Sequence, residues 1–301
     1  AYDAALVDDV RRQLQKATKR FPHSETRSIL ISYEGLSGSP ELGYDNANVV
    51  AEMLRDATAE NPVKIIVYLR RQDDWLESMY TQKIHEGESF TFQEYRQHFA
   101  DGDFLNYSKF LNSWESAFGR DNMIVRSYQH AAEKGIVADF GEIIDCEHLR
   151  HQKSQTRSNP SFSKNAVEIA CYANSRLNRP QQSALRQALQ KTLAKPADCR
   201  FDYLTKADRV DFLANYRATN QDVADRYFDG ELERLFPERE FSVSTGQLSP
   251  PTNQQVSELV VTLLELSSSR RPSIISSLAR LSLAPFPGLR DYLRGVINNK
   301  T

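Results

Sequence analysis

An apolar run at residues 64–69 (KIIVYL) leads directly into Arg70 and Arg71, and a helical pattern opens behind them at Asp73 and Asp74. In an open parallel sheet, ligands bind at the carboxyl ends of the strands. An arginine at such an end can fork onto a phosphate. Ser78 stands eight positions after Arg70, inside the following helix, where its hydroxyl reaches the same anion if that face turns to the strand end. The spacing alone fits equally well with Arg70 paired to a neighbouring carboxylate and Ser78 incidental. Asp73 and Asp74 oppose a bare anion site at the helix start unless they cap it and point away. Glu34 closes a second apolar run, residues 28–34 (SILISYE). A carboxylate there can act as a general base when partly desolvated, because its pKa then rises toward the working pH. A solvated glutamate at a strand exit is the plain alternative. Tyr128 closes a third run, residues 122–128 (NMIVRSY), either on a binding rim or simply at a strand end.

Several other chemistries find no support. There is no GxxxxGK[ST], GxGxxG, HExxH or GxSxG. The 6 histidines are scattered, and no metal site is expected. Cys146, Cys171 and Cys199 form no CxxC pattern and are too few for a disulfide framework, which suits a reduced, cytoplasmic setting. The 38 Lys and Arg against 40 Asp and Glu leave a net charge of -2, which disfavours a globally basic nucleic-acid binder. No apolar run approaches the ~18 residues of a spanning helix. The first residues lack the basic and apolar regions of a signal peptide. With 301 residues, 40% hydrophobic and 26% charged, the composition is that of a globular chain with ample core.

These candidates need elements to carry them. The runs at 28–34, 64–69 and 122–128 read as strands, with turn residues at their ends and β-branched residues within. Helical spacing lies between them: Leu6, Val7, Val10 and Leu14; Val49, Val50, Met53 and Leu54; Trp75, Leu76, Met79, Tyr80 and Ile84; and residues 107–118, stopped by Gly119. Alternation at these intervals predicts βαβ units and a parallel sheet flanked by helices. Beyond about residue 134 the pattern is helical. Residues 244–251 (STGQLSPP) read as a linker. Two domains are expected, an α/β domain over 1–245 and a helical extension over 246–301. The extension carries Arg270, Arg271, Arg280, Arg290 and Arg294 beside spaced leucines. Docking by the leucines with the arginines exposed is favoured over binding to an anionic membrane surface.

Strand, arginine, seven residues and serine together resemble the 3′-phosphate-binding motif of sulfotransferases that use 3′-phosphoadenosine 5′-phosphosulfate (PAPS). Residues 68–80 (YLRRQDDWLESMY), with Gln82 and Gly87, look like bacterial sulfotransferase-like proteins of the glycan-modifying kind. Residues 32–38 (SYEGLSG), 114–128, 157–161 (RSNPS) and 220–228 resemble further segments of that group in the same order. The resemblance covers roughly residues 1–240. It implies a P-loop NTPase-like sulfotransferase fold with a helical C-terminal half. It implies PAPS as cosubstrate, adenosine 3′,5′-bisphosphate (PAP) as product, and a hydroxyl-bearing acceptor such as a glycan. Carried over by residue, Arg70 and Ser78 hold the 3′-phosphate, Tyr128 lies near the adenine, Arg157 reaches the nucleotide phosphates, and Glu34 is the base.

The family's 5′-phosphosulfate loop, a Lys- and Ser/Thr-rich turn after a first strand, has no counterpart in the 301 residues. Residues 1–20 read as the helix that follows it, so the expectation is that upstream residues supply the loop and strand. The competing reading is a sulfotransferase-like scaffold that binds nucleotide without catalysis. A homo-oligomer is compatible with either.

Overall fold

Residues 65–69 and 123–127 pair in parallel, register running from Ile65 opposite Met123 to Leu69 opposite Ser127. The structure, a computed structural model, describes residues 4–19, 29–38, 43–58, 61–99, 104–152, 162–193, 202–238 and 252–268. In chain order the elements are α1 (Ala4–Lys19), a 3₁₀ turn (Glu34–Ser37), α2 (Ala47–Thr58), β1 (Ile65–Leu69), α3 (Gln72–Glu86), α4 (Phe92–His98) and α5 (Tyr107–Phe118). A second 3₁₀ turn (Arg120–Asn122) leads to β2 (Met123–Ser127), α6 (Tyr128–Lys134), α7 (Ile136–Ile143), α8 (Glu147–Arg150), α9 (Lys164–Asn174) and α10 (Arg179–Thr192). The last are α11 (Lys206–Ala214), α12 (Arg217–Tyr227), α13 (Leu232–Leu235) and α14 (Asn253–Ser268). The chain is thus α/β, mostly helical, with a small parallel sheet among the described residues. No helix among them is long and apolar enough to cross a membrane.

The chain divides into two compact units. The first comprises residues 1–72, 99–154 and 209–239. Its sheet packs on α5, which also meets α2 and α12. The reasons for α5 are local. Asn106 caps its start by accepting from the Lys109 N–H, and Tyr107, Phe110, Leu111 and Trp114 bury one stripe. Gly119 ends it at φ 80°, a conformation that costs glycine little. Facing partners Tyr68 and Arg126 both reach the buried Asp139 of α7, the Tyr68 hydroxyl donating to Oδ2 at 2.7 Å and Arg126 Nη2 to Oδ1 at 3.0 Å. Burial first, and then the adjoining Asp139 carboxylate, raises the Tyr68 phenol pKa.

The second unit comprises residues 73–98, 155–208 and 240–301. Leu76, Tyr80 and Ile84 form the buried stripe of α3, and Tyr80 meets the Phe92 and Tyr203 rings edge-on at 5.2 and 5.1 Å. Asn174 donates to the Ile84 and Glu88 carbonyls at 2.8 and 2.7 Å, fastening α9 to the end of α3. Asn178 and Gln181 close a capping box at the start of α10, which packs on α9 and α14. Leu259 and Val260 of α14 are buried. Residues 269–301, including all five tail arginines, and the linker at 244–251 lie outside the described residues.

His85 of α3 packs on Phe162, and burial, with Arg186 adding, lowers its pKa from 6.5 to about 4. Its folded value lies below its unfolded one, so the unfolded chain takes up the proton first as pH falls. Stability from this group is complete above about pH 6.5 and declines from there to about pH 4. Tm measured across that interval should fall for the wild-type chain and fall less for His85→Gln. An equal decline in both would place the acid sensitivity elsewhere.

Two expectations are corrected. Residues 29–33, predicted as a strand, pair with no strand among the described residues, although Tyr33 keeps extended dihedrals of −157° and 133°. Ile29, Leu30, Ile31 and Tyr33 are accordingly exposed. An apolar run favours a strand but cannot make one without a neighbour to take its N–H and C=O groups. The helix after Arg71 begins at Gln72, so Asp73 and Asp74 are first-turn residues rather than its cap. There they complement the helix dipole.

Candidate functional site

The strands stop together. Leu69 and Ser127 form the last register pair, so Arg70 and Tyr128 stand one step beyond it on neighbouring parallel strands. Their side chains meet, with the Arg70 Cζ 5.2 Å from the centre of the Tyr128 ring. Ser127 fixes the turn below Tyr128 by accepting from the His130 N–H at the start of α6. Arg70 is half-buried, and its Nε is shielded from solvent with no hydrogen-bond partner among the described residues. A buried donor left unmade is unfavourable, and an oxyanion forking onto the guanidinium edge would satisfy it. The aromatic face beside it offers a flat, apolar surface and a cation–π contact of order 0.5–1 kcal/mol.

The main chain beneath Arg70 is held from several sides. The Tyr107 hydroxyl donates to the Arg70 carbonyl at 2.6 Å. Arg71 is buried and donates through Nη1 to the Pro237 carbonyl at 3.1 Å. Gln72 is fully buried. Its Nε2 donates to Asn220 Oδ1 at 2.7 Å and to the Leu105 carbonyl at 3.4 Å, and Asn220 Nδ2 returns a bond to Gln72 Oε1 at 3.1 Å. Sequence reasoning did not find Tyr107, Gln72 or Asn220 as a group. Gln72 and Asn220 are 148 positions apart, and no local pattern links them.

The other expected site residues are placed less fully. Ser78 lies on the exposed side of α3, opposite the Leu76–Tyr80–Ile84 stripe. Glu34 opens the 3₁₀ turn Glu34–Ser37, and its side chain lies outside the described residues. Arg157 lies outside them altogether. No group of three or more His, Cys, Asp or Glu among the described residues could hold a metal ion. A groove of about 590 Å³ between α2 and α5 is lined by Asn48, Arg55, Lys109 and Asn112, among others. Two of its polar groups are engaged by neighbours, Lys109 with Asp45 at 2.8 Å and Asn112 with Arg226 at 2.8 Å.

No family model matches the chain, and no solved structure matches it. An uncharacterized protein of Archaeoglobus fulgidus is 26% identical over 181 residues, which is 59% of this chain and 49% of that protein. The match thus spans about half the length of that curated relative.

Proposed function

We propose that this chain is the nucleotide-binding α/β part of a PAPS-dependent sulfotransferase acting on a hydroxyl of a carbohydrate-like acceptor. The observation that carries the reading is Arg70 at a parallel strand exit, its Nε without a partner among the described residues and its guanidinium against Tyr128. That pair supplies a fork for a phosphate and a flat ring beside it, the two features that a 3′-phosphorylated adenosine requires. The parallel β1–β2 pairing, with helices between, supports the P-loop NTPase-like fold that accompanies this reading. PAPS supplies the activated sulfuryl group. On this reading Arg70 holds the 3′-phosphate with Ser78, Tyr128 lies beside the adenine, Arg157 meets the phosphates, and Glu34 takes the proton from the acceptor hydroxyl.

A second reading is a nucleotide-binding scaffold without transfer activity. Both readings require the 3′-phosphate site. PAP and adenosine 3′-phosphate should therefore raise Tm, because a ligand that binds only the folded state adds about 2.7 kcal/mol at 100 times its Kd. Adenosine 5′-phosphate, lacking the 3′-phosphate, should raise it far less. Equal shifts from the two monophosphates would remove the basis for both.

A further inference from the structure

We propose that Tyr107 and the buried Gln72–Asn220 amide pair are positioning residues that aim Arg70 at its anion. This rests on the bisphosphate reading above and adds how the site is held. Residues 70–72 leave the sheet, and groups from three separate segments, two side chains and one main-chain carbonyl, fasten them. Tyr107 of α5 holds the Arg70 carbonyl at 2.6 Å. Pro237, after α13, receives Arg71 at 3.1 Å. Asn220 of α12 exchanges two hydrogen bonds with Gln72 at 2.7 and 3.1 Å. A strand-to-helix junction needs none of these for its regular bonding, since the ladder serves β1 and α3 supplies its own i→i−4 bonds.

Two buried amides are unfavourable unless both are satisfied. Here each donates to and accepts from the other, a reciprocity that a carboxylate cannot give because it has no donor. A satisfied buried network fixes one geometry more than it adds stability. The geometry fixed here is the main chain of Arg70 and the two residues after it. Arg70 itself is fastened at its carbonyl, while its Nε has no partner among the described residues. Its backbone is therefore located, and its guanidinium is left for a ligand. Binding groups work only when held to within about 0.5 Å of the productive geometry.

The test is PAP affinity by isothermal titration, with Tm recorded for every variant. Tyr107→Phe keeps the ring beside Tyr44 and Phe236 and deletes the hydroxyl. Its PAP affinity should fall roughly tenfold in the otherwise wild-type chain, the effect of one lost hydrogen bond. It should fall less than about twofold further in an Arg70→Ala background, where the aimed group no longer exists. Asn220→Asp should behave in the same way. An equal loss in both backgrounds would show a general effect on the fold and overturn the proposal. So would normal affinity in Tyr107→Phe when Arg70→Ala is weakened. If Arg70→Ala itself binds PAP as the wild type does, the bisphosphate site fails first and this role falls with it.

Discussion

Arg70→Ala should bind PAP about 10- to 100-fold more weakly than the wild-type chain, with little change in Tm. Charge-assisted hydrogen bonds contribute about 1.5–3 kcal/mol each, and every 1.4 kcal/mol is a factor of ten. The effect on stability is small because no salt bridge within the described residues uses the guanidinium and its Nε has no partner there. What the variant loses is the Tyr128 contact at 5.2 Å, a partly exposed interaction. Arg70→Lys should fall between the two, since an ammonium keeps the charge but not the planar fork. Direct titration of the three proteins decides the matter. An Arg70→Ala protein with wild-type affinity would show that the phosphate binds elsewhere.

Glu34→Gln should leave PAP affinity unchanged and lower sulfuryl transfer by about 10²- to 10⁴-fold, the usual cost of removing a general base. The amide keeps the shape of the carboxylate and cannot take a proton. The measurement is transfer of label from radioactive PAPS to a panel of polysaccharides, followed by comparison on whichever acceptor the wild-type chain labels. A variant with near-normal turnover would place the base on another residue. A wild-type chain that binds PAP and labels no acceptor would favour the scaffold reading. The assignment is what the resemblance implies for the residue that closes the apolar run at 28–34 and opens the turn Glu34–Ser37.

The local elements were legible because local energies decide them. The cap at Asn106, the i, i+3, i+4, i+7 stripe and the Gly119 stop specify α5 at its observed bounds without reference to the rest of the chain. The β-branched runs at 65–69 and 123–127 read as strands for the same reason, and the helices between them made a parallel pairing the expectation. Residues 29–33 show where this stops. Their sequence is as strand-like as IIVYL, yet they pair with no strand among the described residues. Pairing depends on a neighbour, which composition does not record.

For the candidate site the division is similar. Sequence alone put Arg70 and Tyr128 each at a strand exit, while the place of Asp73 and Asp74 in the first turn of α3 rather than at its cap came from the structure. Only the tertiary structure decided that the Arg70 and Tyr128 side chains meet, through the register that ends both strands at one level. Only it showed that Ser78 lies on the exposed side of α3. It alone joined Gln72 to Asn220 and Tyr107 to the Arg70 carbonyl. Contacts between residues far apart in sequence have no local signature, because each partner reads locally as an ordinary polar or aromatic residue of its own helix.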